Sequence, residues 1–172
     1  TYRLFGSIPK DIFRELKLKY ERTLLQFGNS SETGKVAAKA QYLKQLEAQL
    51  DGLSNGPYHL REPAIRQLVL NSWLFVDKGW ADLHALCIMP NHVHVLLSPY
   101  PDSLPLYEVM ERHKSYTGLM ANRMLKKEGN FWAEGYFDRL VRGEKAYRRI
   151  FWYILNNPVK AGLVKNWEEW EG

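Results

Sequence analysis

The sequence predicts an α+β domain, an antiparallel sheet with helices packed on one face. Three observations carry that expectation. The chain opens on a short strand-like run, residues 2–8. Two further strand-like runs, 80–88 and 93–98, are joined by the turn-forming insert Met89-Pro90-Asn91. Segments of helical periodicity lie between and after these strands, the pattern of a sheet with helices laid on it. A length of 172 residues fits one domain. With 45% hydrophobic and 25% charged residues, the composition is that of a soluble globular protein with a core. No apolar run approaches the roughly 18 residues of a membrane span, so no membrane partner is expected.

The elements follow in order. Pro9 ends the first strand. Residues 10–27 are apolar at helical spacing, with Ile12, Phe13, Leu16, Leu24 and Leu25 as the expected buried side. Turn formers from Gly28 to Gly34 break the helix, residues 35–53 resume it, and Ser54-Asn55-Gly56-Pro57 ends it. Residues 62–76 form a third helix with Ile65, Leu68, Val69 and Trp73 on one face. Pro63 stands in its first turn, where a missing N–H costs little. After the two central strands come a long amphipathic helix at 103–127 and an aromatic strand or extended segment at 131–141. A last helix runs over 143–156, with Pro158 as its stop. There is no internal repeat.

The run Asn91-His92-Val93-His94-Val95-Leu96-Leu97 carries the most chemistry. Side chains of a strand alternate faces, so His92 and His94 point one way while Val93 and Val95 point into the core. Two imidazoles one pleat apart can chelate a divalent ion. A lone H-x-H is more often two half-exposed histidines on an amphipathic strand, and the spacing alone does not choose. On the last helix, Tyr153 and Asn157 are four apart and share a face. Tyrosine can serve as a covalent nucleophile and asparagine offers a neutral oxygen to a hard cation. Alone, that pair reads more readily as a packing tyrosine and a helix-capping asparagine.

Charge adds a partner class. The formal net charge is +5 and the pI about 9.2. Residues 103–165 hold twelve Lys and Arg against six Asp and Glu, so this half accounts for the excess. Such a surface suits a phosphate backbone, and equally a solvated helical face. Arg112, Lys114, Arg123, Arg139, Arg142, Arg148, Arg149 and Lys160 are the candidate phosphate contacts. Tyr116, beside Lys114, is the rival nucleophile. His59, His84 and His113 lack partners at ligand spacing and read as structural. The single cysteine, Cys87, excludes an internal disulfide and a multi-cysteine zinc cage, and fits a reducing cytoplasm.

Taken together, these runs resemble the single-tyrosine HUH transposases, specifically the REP-associated tyrosine transposase branch of the IS200-like group. The resemblance is carried by residues 89–97, by His113-Lys114-Ser115-Tyr116-Thr117, by 131–138, and by Tyr153-Ile154-Leu155-Asn156-Asn157-Pro158 onward to Val164. It covers about residues 80–164 in order. It implies a ferredoxin-like domain of HUH nuclease architecture whose central strand bears the metal ligands His92 and His94, with Asn157 as the third ligand. It implies Mg or Mn as cofactor, and Tyr153 as the nucleophile that cuts single-stranded DNA beside hairpin repeats, leaving a 5′-phosphotyrosine link and a free 3′-OH. Relatives work as monomers or homodimers. Residues 28–57 match the family less clearly and read as a helical insertion in a single catalytic domain spanning 1–172. Gly143 stands where relatives carry an acidic residue, and Trp167-Glu168-Glu169-Trp170 begins a tail of its own. A catalytically silent hairpin-DNA binder is the alternative reading. A zinc hydrolase comes third, since no third His, Cys or Glu stands at a familiar zinc spacing.

Overall fold

The computed structural model describes residues 1–27, 32–52 and 56–172. Two compact units are present: Gly6–Pro57, and a second made of Thr1–Phe5 with Tyr58–Gly172. The expected break at 28–31 and the helix end from Leu53 to Asn55 lie outside the described residues.

The Gly6–Pro57 unit holds α1 (Lys10–Phe27) and α2 (Glu32–Asp51). Tyr20 and Tyr42 stack between them at 4.8 Å. Helix α2 begins earlier than expected and absorbs Thr33 and Gly34. Leu25, expected on the buried side of α1, is 80% exposed. Neighbouring helical residues are about 100° apart, so Leu24 and Leu25 cannot both face one side. Leu24 takes the half-buried place.

The larger unit is built on a three-stranded antiparallel sheet of order β1-β3-β2, from β1 (Tyr2–Arg3), β2 (Ala81–Ile88) and β3 (His92–Pro99). The central strand is therefore the one bearing His92 and His94. Pairing sets Cys87 opposite His94, Ile88 opposite Val93, and Arg3 opposite His92. The first strand is shorter than the 2–8 run suggested, because the chain turns at Gly6, whose φ of 79° is left-handed. Residues 131–137 run alongside Thr1–Phe5 through Phe5 N→Phe131 O, Ala133 N→Arg3 O and Phe137 N→Thr1 O. Only Leu4 and Trp132 form a bridge there, so the aromatic segment is extended, as expected, without becoming a full strand.

One sheet face carries α3 (Pro63–Gly79) and α4 (Leu106–Leu125). Helix α3 buries Ile65, Val69, Trp73 and Val76 at helical spacing, and Pro63 occupies its first turn. Val93 belongs to this core together with Tyr2, Met110 and Trp132. Gly118 of α4 is packed so closely that an added Cβ would lie 3.4 Å from the Trp132 ring. The opposite face carries α5 (Glu144–Leu155), whose Ile154, Phe151 and Tyr147 pack with Ala85, Cys87 and Leu96. A bulge between Leu83 and Ala85 reverses the parity of β2 and turns Ala85 and Cys87 toward that side. This second layer is what the pattern did not reveal, and it covers the face where the histidines point. Helix α5 ends at Asn156, and the four-residue α6 (Asn157–Lys160) follows with Pro158 in its first turn. The last long helix thus ends where expected, and Pro158 stands in the short helical turn that follows it. No helix among the described residues is long and apolar enough to cross a membrane.

Candidate active site

Strand alternation places His92 and His94 on the α5 side, and both are fully buried, at 0% and 2% exposure. Their Nε2 atoms stand 2.9 Å apart and the rings meet edge to face. The outer nitrogens are engaged. His92 Nδ1 lies 2.7 Å from Asn91 Oδ1, and His94 Nδ1 lies 2.8 Å from the Thr1 hydroxyl. A carboxamide oxygen only accepts, so His92 Nδ1 carries the proton and the neutral ring keeps a lone pair on Nε2. Burial pushes His92 down to about 3, with the Lys160 charge adding to the effect. Burial, then His92 and Lys160, hold His94 well below its ordinary value. Both rings are therefore neutral at pH 7.

The donor set fits a divalent cation. Two nitrogens about 2.1 Å from one ion at a right angle stand about 3.0 Å apart, close to the separation seen. Oriented outer nitrogens are the usual support of ligating histidines. Asn157 is 0% exposed, and neither its Oδ1 nor its Nδ2 has a hydrogen-bond partner among the described residues. Burying a carboxamide without partners is costly, and a cation on the oxygen would relieve that cost. Asn157 opens α6, one helical turn after Tyr153.

Tyr153 is half-buried on α5, with its ring 5.7 Å from that of His94 and nearly perpendicular to it. The Lys160 ammonium stands 5.4 Å from the centre of the Tyr153 ring. A cation so placed is held by the electron-rich face of the ring. The structure thus brings together His92, His94, Tyr153 and Lys160. Lys160 was legible only as a phosphate contact, because its position over the ring depends on the α5–α6 break at Asn156.

The remaining predicted residues lie elsewhere. Arg139, Arg142 and Arg149 are exposed. Arg148 pairs with Glu144 in solvent at 2.6 Å. Arg112 lies over the Trp80 ring at 5.8 Å, and Arg123 reaches the Met120 sulfur. Lys114 donates to the Ala133 and Gly135 carbonyls at 2.8 and 2.6 Å, so it ties down the extended segment. Tyr116 is 54% exposed on α4, on the face away from α5. Sequence reasoning missed Asn91 and Thr1 as orienting groups. Asn91 was visible as the neighbour of His92, whereas Thr1 is 93 positions from His94 and left no signal.

Residues 74–157 match the family described as Transposase IS200 like. This segment is IS200-like. The resemblance read from the motifs is thus borne out, and the family is one of transposases. A Haemophilus influenzae protein that bears the name REP-associated tyrosine transposase is 27% identical over 95 residues. The alignment takes in 50% of this chain and 54% of that protein, so the chain spans about half the length of this relative. A solved structure, that of a REP-associated tyrosine transposase bound to a REP hairpin, aligns with a TM-score of 0.56 at 21% identity. It covers 67% of this chain and 66% of that one, a likeness of fold.

Proposed function

We propose that this chain is a metal-dependent transposase-type endonuclease that cuts and rejoins single-stranded DNA beside hairpin repeats of the REP type. The observation that supports it most is the pairing of two buried, neutral imidazoles, Nε2 to Nε2 at 2.9 Å, with a tyrosine ring set against one of them. His92, His94 and Asn157 would hold the ion, Mg or Mn. When bound, it would supply positive charge to a nonbridging phosphate oxygen. Tyr153 attacks the phosphorus; the bond to the 3′-oxygen breaks, and that oxygen leaves as a free 3′-OH. The 5′-phosphate stays on tyrosine. Lys160 stabilises the phenolate that attacks. Rejoining reverses these steps with another 3′-OH, so no bond energy is lost to water. The exposed Arg139, Arg142, Arg148 and Arg149 would meet the DNA backbone. The catalytic domain would span 1–172, with a helical insertion at about 28–57.

A covalent-trapping assay tests this. With Mn and a hairpin DNA bearing a single-stranded flank, the protein should form an adduct stable to denaturation. Tyr153→Phe should abolish it while keeping DNA binding. An undiminished adduct would move the nucleophile to another residue, and binding with no adduct from the wild-type protein would favour a silent hairpin binder.

A further inference from the structure

The two groups that meet the outer nitrogens of the histidine pair differ in kind. The Asn91 carboxamide oxygen, 2.7 Å from His92 Nδ1, can only accept a hydrogen bond. The Thr1 hydroxyl, 2.8 Å from His94 Nδ1, can accept or donate. Backbone pairing delivers that hydroxyl. Thr1 N donates to the Phe137 carbonyl at 2.8 Å, and the Thr1 carbonyl accepts from Phe137 N at 2.7 Å. Lys114, donating to the Ala133 and Gly135 carbonyls, fastens the segment on which Thr1 is held. The inner nitrogens face each other at 2.9 Å, a hydrogen-bond distance. With no cation between them, one proton belongs there: two would collide, and none would set two lone pairs against each other. His92 carries its single proton on Nδ1, so the shared proton sits on His94 Nε2. His94 Nδ1 is then bare, and the Thr1 hydroxyl donates to it.

Holding a cation demands the opposite at His94. Both Nε2 atoms must then offer lone pairs, so the His94 proton lies on Nδ1 and the Thr1 oxygen accepts from it. We propose that Thr1 is a positioning residue of the metal pair, a hydroxyl that reverses its hydrogen bond as His94 passes from one tautomer to the other. The inference rests on the metal-dependent reading and assigns a residue to it. The ring stays neutral throughout: one proton is lost from Nε2 and one is gained at Nδ1, so no charge changes. His92 needs no such conversion, because Asn91 keeps its proton on Nδ1 in both states. One ligand is preset and the other is converted. A side chain that only accepts could not serve His94 before the cation is held, and one that only donates could not serve it afterwards. Threonine does both.

The test uses the whole chain, ¹⁵N-labelled, and reads each imidazole by long-range ¹H–¹⁵N correlation, in which protonated and bare ring nitrogens separate widely. Without metal, His92 should be protonated at Nδ1 and His94 at Nε2. Saturating Mg, which is diamagnetic, should move the His94 proton to Nδ1 and leave His92 as it was. Thr1→Val keeps the shape and removes the hydroxyl; it should raise the Kd for Mn about tenfold, the loss expected when a ligating histidine loses its outer partner. Thr1→Ser restores the hydroxyl and should bind Mn within about twofold of the wild type. The His113 ring signals report whether each variant is folded. His94 already protonated at Nδ1 without metal, an unchanged Kd in Thr1→Val, or a Thr1→Ser chain as weak as Thr1→Val would overturn the inference. A wild-type chain that binds neither Mn nor Mg would sink the metal reading and this role with it. If His94 changes tautomer as described but Tyr153→Phe leaves the DNA adduct undiminished, the proposed nucleophile fails and the role of Thr1 stands.

Discussion

His113 and the His92–His94 pair are equally buried, and burial pushes both His113 and His92 down to about 3, yet their hydrogen-bonding surroundings differ. The protein engages both nitrogens of His113: Nε2 meets the Tyr2 hydroxyl at 2.6 Å and Nδ1 meets the Ser72 hydroxyl at 2.8 Å. Trp73 extends the chain by donating to the same Tyr2 oxygen and packing 4.5 Å from the imidazole. That network is closed. In the pair, the outer nitrogens meet Asn91 and Thr1 while the inner two face each other at 2.9 Å, beside a helix whose buried Asn157 side chain has no hydrogen-bond partner among the described residues. Burial and lowered basicity therefore do not mark a functional histidine. What marks it is where the second nitrogen goes.

The largest way to break the comparison is to truncate each kind of histidine. His113→Ala should cost about 2–4 kcal/mol of unfolding free energy in urea, since it opens a cavity and strands the Tyr2 and Ser72 hydroxyls. His92→Ala should cost less in metal-free buffer and abolish the DNA adduct. Equal stability losses with adduct formation kept in both variants would erase the distinction.

Acid sharpens it next. A histidine whose folded basicity lies below its unfolded value contributes stability above the unfolded pKa, and that contribution is lost as pH falls. For His113, the loss should run from about 6.5 down toward 3, because the unfolded chain binds the proton first. His113→Gln should flatten the decline of Tm over that window. An unchanged slope would mean that other groups govern it.

The smallest effect concerns Lys160. Lys160→Met should slow adduct formation about tenfold, through the lost stabilisation of phenolate, and leave hairpin affinity within about threefold, as one phosphate contact among several. A large loss of affinity with an unchanged rate would return Lys160 to backbone binding.

Much of this was legible in the sequence, for identifiable reasons. Strand alternation fixed the shared face of His92 and His94, and the three-residue insert between two apolar runs fixed the hairpin. Helical spacing picked out Ile65, Val69 and Trp73 correctly. What stayed hidden depends on contacts far apart in the chain. The histidines looked half-exposed because nothing local shows that α5 covers their face. Lys114 looked like a phosphate contact because its carbonyl partners lie 19 and 21 residues away. His113 was legible as structural by its lack of ligand-spaced neighbours, but its partners Tyr2 and Ser72 come from β1 and α3. Leu25 was misplaced by counting apolar residues without subtracting the turn between adjacent positions.

The central claim is that His92 and His94 hold a divalent ion and His113 does not. Electron paramagnetic resonance of Mn(II) titrated into the protein tests it most directly. The account predicts one bound Mn coupled to two imidazole nitrogens in the wild-type chain and in His113→Gln, and none in His94→Ala. Undiminished Mn binding in His94→Ala, or its loss in a folded His113→Gln, would contradict it.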